Sequence, residues 1–327
     1  MPAGRCAGGP LTASLAAGAP TADPVPDEHD LVVVDTDDQL LATATAFLGE
    51  GAAGGDLVSA TLPGWLVDEL APTRPDVRFQ AVEGAVWPRE PDLIVSIRKA
   101  AAESAPRRLR LLALVTAPEA RSWDERRRCE AITNLAYRGS AVSILCVYDR
   151  RTTPAPALAA ALATHPHLRT AAARQPNPGY QDPRVFLDRL PAPDEPLQRT
   201  PPVFAADAAT SLPRLRHQLK AALHGRAGDR DVEEDFHLAI SEIAANAFRH
   251  GTPPVSARLW ASPDRLICTI SDAGTGYRDA TAGYQPAHGD DLSRGGMGLW
   301  LARKLCDHVD LVSGPEGLTV RLVTALR

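Results

Sequence analysis

Apolar residues in the first half of the chain fall in short β-branched runs separated by helix-length stretches. Leu31-Val32-Val33-Val34 predicts a buried strand, and Asp37 to Leu48, opened by an Asp cap, predicts a helix. The alternation continues with a strand over Leu57 to Leu62, a helix over Trp65 to Leu70, a strand over Val77 to Val82 and a helix over Pro91 to Glu103. Strands over Leu109 to Val115 and Val142 to Tyr148 follow, with a helix from Trp123 to Tyr137 between them. Strand and helix in turn predict an α/β domain on a parallel sheet, spanning 28–190.

The pattern changes after Pro191-Ala-Pro-Asp-Glu-Pro and Pro201-Pro202, where proline density marks a linker over 191–202. Beyond it, Val203 to Ala206 predicts a strand, and leucines at 212, 215, 219 and 223 predict a helix. Asp231 to Phe248 predicts a second helix, with Asp231-x-x-Glu234 as its capping box. Val255 to Trp260 and Leu266 to Ser271 read as strands joined by a turn at Ala261-Ser-Pro-Asp264. A Gly-punctuated loop leads to Arg294, then come a helix over Gly298 to Cys306 and strands over Val309 to Val312 and Leu318 to Leu326. Helices followed by hairpin-linked strands predict an α+β two-layer sandwich over 203–327. Residues 1–27, rich in Ala, Gly, Pro and Thr, predict a disordered tail.

Composition agrees with this division and removes several function classes. A length of 327 residues suggests two domains. A hydrophobic fraction of 44% with 23% charged residues excludes a wholly disordered chain, a coiled coil and a collagen-like repeat. The net charge of −5 offers no basic surplus, so no direct nucleic-acid partner is expected. No run of 18 apolar residues occurs, so no membrane span is expected. The five cysteines, at 6, 129, 146, 268 and 306, are odd in number and scattered, as reduced cytoplasmic thiols would be. No Cys-x-x-Cys occurs, and His165 and His167 have no cysteine or carboxylate close in sequence, so no zinc site is expected. Lysine occurs only at 99, 220 and 304, never in a P-loop context. Gly49-Glu-Gly51-Ala-Ala-Gly54 matches G-x-G-x-x-G, but it follows a helix and precedes a strand, so it reads as a loop.

Three motifs in the second half carry chemistry. Ser241-Glu242-Ile-Ala-Ala-Asn246-Ala-Phe-Arg249-His250-Gly251 puts Glu242 and Asn246 on one helical face. A carboxamide oxygen suits magnesium, and a carboxylate one turn earlier can take a hydroxyl proton. Ser271-Asp272-Ala273-Gly274-Thr275-Gly276 ends a strand, where glycines admit a planar ligand and an Asp can accept from an amine. Arg294-Gly295-Gly296-Met297-Gly298-Leu299 opens a helix, whose orphan N–H groups and dipole favour an anion.

In this order and spacing the three motifs resemble the GHKL, or Bergerat-fold, ATP-binding domains. Within that superfamily, residues 203–327 resemble the bacterial anti-sigma-factor serine kinases, through Ala239 to Gly251 and Leu299 to Asp307. The resemblance implies ATP and Mg²⁺ as cofactors. It implies Glu242 as the general base, Asn246 as the magnesium ligand and Asp272 as acceptor from the adenine amine. Gly274 and Gly276 would shape the adenine pocket, Gly296, Gly298 and Arg294 would meet the phosphates, and Thr319 would lie beside Asp272. The loop 277–294 would be the nucleotide lid. Trp300, where histidine kinases continue with glycine, departs from their pattern. His217 has no phosphoacceptor motif around it and reads as a surface helix residue.

Residues 28–190 resemble the MEDS sensory domain, through Leu31 to Asp35, Val82 to Trp87 and the strand at Val142 to Tyr148. Trp87, Trp123 and Cys146 are candidates either for a pocket lining or for core packing. The implied function is a cytoplasmic serine kinase under sensory control, acting on an anti-anti-sigma (STAS-type) protein and holding a sigma factor. A homodimer, a non-catalytic nucleotide-gated switch and an orphan histidine kinase remain open on these residues.

Overall fold

The computed structural model describes residues 28–83, 88–117, 120–274, 279, 281–286, 297–314 and 317–326. The expected tail, and Gly84 to Trp87, lie outside these residues. The first domain is built on a sheet of order β3-β2-β4-β5-β1-β6-β7. Its strands are β1 (Glu28–Val34), β2 (Leu57–Leu62), β3 (Val77–Ala81), β4 (Leu109–Leu114), β5 (Val142–Asp149), β6 (His167–Arg169) and β7 (Arg174–Pro176). All neighbouring strands pair in parallel except β6 with β7.

Near-continuous apolar runs suit strands covered on both faces. Val32, Val34, Leu112, Leu114, Leu145 and Val147 share one cluster with Leu40, Phe47 and Leu48 of α1 (Asp37–Gly54) and Leu66 of α2 (Gly64–Leu70). Leu109 and Val142 share another with Ile94 of α3 (Glu90–Ser104) and Ile132 of α4 (Ala120–Ala136). Leu31, Cys146 and Tyr148 form a third, against which Trp123 packs. Two further helices, α5 (Ala155–Thr164) and α6 (Pro183–Arg189), complete the domain.

The second domain has a five-stranded antiparallel sheet of order β11-β12-β10-β9-β8. Its strands are β8 (Phe204–Ala209), β9 (Val255–Ser262), β10 (Arg265–Asp272), β11 (His308–Gly314) and β12 (Gly317–Ala325). Helices α7 (Leu212–Leu223), α8 (Arg230–His250) and α9 (Gly298–Leu305) join them. Leu219, Phe236, Ile240, Ile243 and Ala302 from the helices share one core with Leu266, Cys268, Ile270, Val320 and Leu322 from the strands.

Several local expectations change. The helix α1 is capped by Thr36, whose Oγ1 accepts from Gln39 N–H at 3.2 Å, rather than by an Asp. Asp229 caps α8 by accepting from Asp231 N–H at 2.8 Å, so the Asp231–Glu234 box is not its start. Gly49 to Gly54 is the last part of α1, not a loop, with Gly55 at φ 69° closing it. The proline-rich stretch is not a free tether. Leu197 covers the apolar patch of Trp260, Ile267 and Val323 on the sheet face away from the helices, and Thr200 O accepts from Trp260 Nε1 at 2.9 Å. A sheet face with three large apolar side chains needs such a cover.

The domains meet along α3 and α9. Arg89 donates to Lys304 O at 2.6 Å and to Asp307 at 3.0 Å, and Lys304 pairs with Asp92 at 2.8 Å. Asp310, fully buried, receives Arg128 of α4 at 2.7 Å and Arg321 at 2.8 Å. Tyr284 belongs to the first domain's core cluster with Ile94 and Ile132, and its hydroxyl donates to Glu125 at 3.2 Å.

Candidate functional site

Helices α8 and α9 and strands β10, β11 and β12 meet around a cavity of about 500 Å³ in the second domain. Asn246 and Ile243 of α8, Ile270 and Asp272 of β10, Leu299 of α9, and Leu311, Leu318 and Val320 of the sheet edge line it. Mostly apolar walls with a few fixed polar groups suit a planar heterocycle.

Asp272 is 8% exposed and held from one side only. Its Oδ1 accepts from Gly274 N–H at 2.8 Å and Thr252 N–H at 3.1 Å. Its Oδ2 has no hydrogen-bond partner among the described residues. An acceptor on an otherwise apolar cavity wall is best satisfied by a donor that enters the cavity. Gly251 makes the arrangement possible, because a Cβ there would stand 2.5 Å from the Asp272 carboxyl carbon and from Ala247 O. His250, Gly251 and Thr252 also line the cavity.

The start of α9 lies against the same helix face. A Cβ on Gly298 would come within 2.9 Å of Asn246 Nδ2 and 3.4 Å of Glu242 Cβ. Among the described residues, no side chain caps this helix. Its first N–H groups therefore remain open to an anion beside Asn246. Glu242 stands one turn before Asn246 and is half-buried; its Oε1 lies 3.8 Å from an Arg216 guanidinium nitrogen. Arg216 is itself held by Ser241 O at 3.0 Å. Nothing in the linear pattern had singled out Arg216, which reaches Glu242 from the neighbouring helix α7.

The structure thus brings Glu242, Asn246, Asp272, Gly274 and Gly298 together. It does not bring Thr319 to them. Opposed residues of an antiparallel pair share a face, and successive residues alternate. Thr319 is opposite Ser271, with their hydroxyls 2.8 Å apart, whereas Leu318 is opposite Asp272 and lines the cavity. Leu318, the neighbour of Thr319, supplies an apolar wall beside Asp272. Gly276, Arg294 and Gly296 lie outside the described residues. Of the expected lid 277–294, residues 279 and 281–286 are described. His217 is exposed on α7, as the sequence suggested.

A second cavity, about 320 Å³, lies in the first domain between the sheet and helices α3 and α4. Glu90, Arg126, Glu130 and Cys146 are among its lining residues. Burial pushes the Glu90 carboxyl up to about 6 despite the nearby Arg126 charge. Cys146 lines this cavity as well as packing in the core, and Trp123 packs beside Tyr148 with ring centres 6.4 Å apart. Among the described residues, no helix is long and apolar enough to cross a membrane.

Comparison with known proteins matches both halves. Residues 204–324 match the family model described as the histidine kinase-like ATPase domain. Residues 28–166 match that of MEDS, the methanogen/methylotroph, DcmR sensory domain. The chain therefore carries a histidine kinase-like ATPase domain after a MEDS domain. Curated relatives include "Serine-protein kinase RsbW" of Bacillus licheniformis, 36% identical over 107 residues, covering 29% of this chain and 66% of the relative. The protein of the same name from Bacillus subtilis is 34% identical over 107 residues, with the same coverage. The chain thus spans 66% of the length of these relatives. A crystal structure of the RsbU and RsbW domains of a Mycobacterium tuberculosis protein is 23% identical, covering 39% of this chain and 33% of that one, with a TM-score of 0.28.

Proposed function

We propose that this protein is a bacterial regulatory kinase that transfers the γ-phosphate of ATP to a serine of an anti-anti-sigma (STAS-type) partner. Its ATPase domain would also hold a sigma factor, and its MEDS domain would control it. The observation that carries this reading is the open Asp272 carboxylate oxygen in an apolar cavity that also reaches Asn246 and the uncapped start of α9. The choice of a serine as acceptor follows the relatives named as serine-protein kinases.

The cavity fits a nucleotide. Adenine enters the apolar walls, and its exocyclic amine donates to Asp272 Oδ2, while Thr252 and Gly274 N–H groups hold the other oxygen. The α9 N–H groups receive phosphate oxygens, which the space left by Gly298 allows to approach. Asn246 Oδ1 would hold Mg²⁺, whose chemistry is to neutralise charge on the phosphates. Glu242 accepts the serine hydroxyl proton. The serine oxygen bonds to the γ-phosphorus as the bond from phosphorus to the β–γ bridging oxygen breaks, and ADP leaves. Arg216 places a positive charge 3.8 Å from Glu242 Oε1.

Control by the first domain has a physical route. The α9 helix opens at the phosphate end of the site, and its other end is fastened to α3 through Arg89 and Lys304. Tyr284, in the segment expected as the lid, is seated in the first domain's core. A change at the α3–α4 cavity would thus reach both.

Gly298→Ala tests the phosphate end. Its methyl would press on the Asn246 amide, and overpacking of this kind costs about 1–3 kcal/mol. ATP affinity should fall roughly tenfold or more in calorimetry, with the thermal midpoint within a few degrees of the parent because alanine favours a helix. Unchanged affinity would remove Gly298 from the site. The reading as a whole is tested by labelled ATP: a STAS-type protein from the same organism should acquire one phosphate per chain. ATP binding without labelling would instead make the domain a nucleotide-gated switch.

A further inference from the structure

Four side chains from four elements converge inside the first domain, away from the nucleotide site. They are His29 of β1, Glu130 of α4, Cys146 of β5 and His165 at the end of α5, all buried, with one ligand-capable atom of each within 4.8 Å of the others. His29 Nε2 and His165 Nε2 lie 3.2 and 3.4 Å from Glu130 Oε2. Cys146 Sγ is 3.5 Å from both His29 Nε2 and Glu130 Oε2.

The surrounding hydrogen bonds fix which atoms carry lone pairs. His165 Nδ1 donates to Ala161 O at 2.8 Å, which leaves Nε2 bare, and that atom makes no hydrogen bond among the described residues. Asn134 Nδ2 donates to Glu130 O at 3.0 Å and Thr164 O at 2.7 Å. Its amide is thereby oriented so that Oδ1 accepts from His29 Nδ1 at 3.1 Å, and the second imidazole also turns Nε2 inward. Glu130 Oε1 accepts from Tyr148 O–H at 2.7 Å, so the carboxylate too is held from outside. Ring N–H groups anchored to an amide or backbone carbonyl, with the other nitrogen facing inward, are how proteins orient metal-binding imidazoles.

Without a cation the lone pairs of His165 Nε2 and Glu130 Oε2 face each other 3.4 Å apart, and the Cys146 thiol donates to Glu130 Oε2 at 3.5 Å. Protonating His29 would satisfy its contact with Glu130 but would leave His165 Nε2 without a donor. The spacing has a direct counterpart. A tetrahedral zinc ion with bonds of about 2.0–2.3 Å holds its ligand atoms about 3.3–3.7 Å apart.

We propose that His29 Nε2, Glu130 Oε2, Cys146 Sγ and His165 Nε2 form a closed tetrahedral site for a divalent cation of the zinc class. Two imidazoles and a thiolate select zinc over magnesium or calcium. Binding releases the Cys146 thiol proton, and the thiolate and carboxylate then balance the two positive charges, so the buried centre is neutral. His29, Glu130 and Cys146 also line the 320 Å³ cavity, which makes the site part of that cavity's wall.

The test uses the full chain, purified without chelator and dialysed free of nucleotide. Elemental analysis should give about one zinc per chain. Titration of the metal-free protein with Co²⁺ should give the visible bands of a tetrahedral site and a thiolate-to-cobalt charge-transfer band. Cys146→Ser should remove that band. Cys146→Ser and His165→Gln should each lower zinc affinity, measured against a chromophoric chelator, by more than about 100-fold, beyond what outer partners command. Cys129→Ser, a buried cysteine outside the cluster, should leave affinity unchanged. A folded wild-type chain that takes up neither zinc nor tetrahedral cobalt would overturn the site. So would folded Cys146→Ser and His165→Gln chains that bind zinc as tightly as the parent. Because a ligand variant could unfold, the wild-type cobalt spectrum decides by itself.

Discussion

Asp272→Asn should lower ATP affinity by about 100-fold or more while the protein stays folded. The substitution keeps a carbonyl oxygen where Oδ1 accepts from Thr252 and Gly274 N–H groups, so the turn after β10 retains its anchors. It replaces the open Oδ2 acceptor by an N–H₂ donor facing the adenine amine, so a donor meets a donor. A charge-assisted hydrogen bond is worth about 1.5–3 kcal/mol, and the opposed donors add a desolvation penalty of about 1–3 kcal/mol. Together these predict a loss of roughly 100-fold or more in calorimetric affinity. Asp272→Ala should lose binding too, but it also strips the Thr252 and Gly274 N–H groups of their acceptor, so it should lower the urea midpoint. The pair of variants separates recognition from folding. An Asp272→Asn chain with parental ATP affinity would mean that adenine lies elsewhere.

Glu242→Gln has the opposite signature. Glu242 stands one turn from Asn246 and is not among the residues lining the cavity, so ATP affinity should change by less than about threefold, under 1 kcal/mol. Loss of a general base typically costs about 10²–10⁴-fold in rate. Phosphate transfer should fall by that factor, with nucleotide binding intact. Arg216 gives a second handle, since it is the cation beside Glu242. Replacing it should reduce the rate less than Glu242→Gln does, because the base itself remains.

Much of this was legible in the residues. Strand runs such as Leu57 to Leu62 reappear with the same ends, because β-branched stretches bounded by turn residues leave few alternatives. The face of α8 that carries Glu242 and Asn246 was fixed by helical spacing alone. What escaped depended on contacts across the fold. Whether Leu318 or Thr319 faces Asp272 is a matter of register, and one residue of slip exchanges the two faces. The packed state of residues 193–200 follows from an apolar patch on the far sheet face, which the proline pattern does not contain. The hydrogen-bonded pairs among His29, Glu130 and Cys146 are 16 to 117 residues apart, and His165 comes from yet another element, so no local spacing betrays the cluster.

In the function proposed above, Asp272, Asn246, Gly298 and Glu242 form one ATP-dependent phosphotransfer site. The most direct measurement is mass spectrometry of a STAS-type protein from the same organism after incubation with the full chain, ATP and Mg²⁺. One phosphoserine is expected with the wild-type chain and none above background with Glu242→Gln, although both chains bind ATP. Equal phosphorylation by the two chains would contradict it.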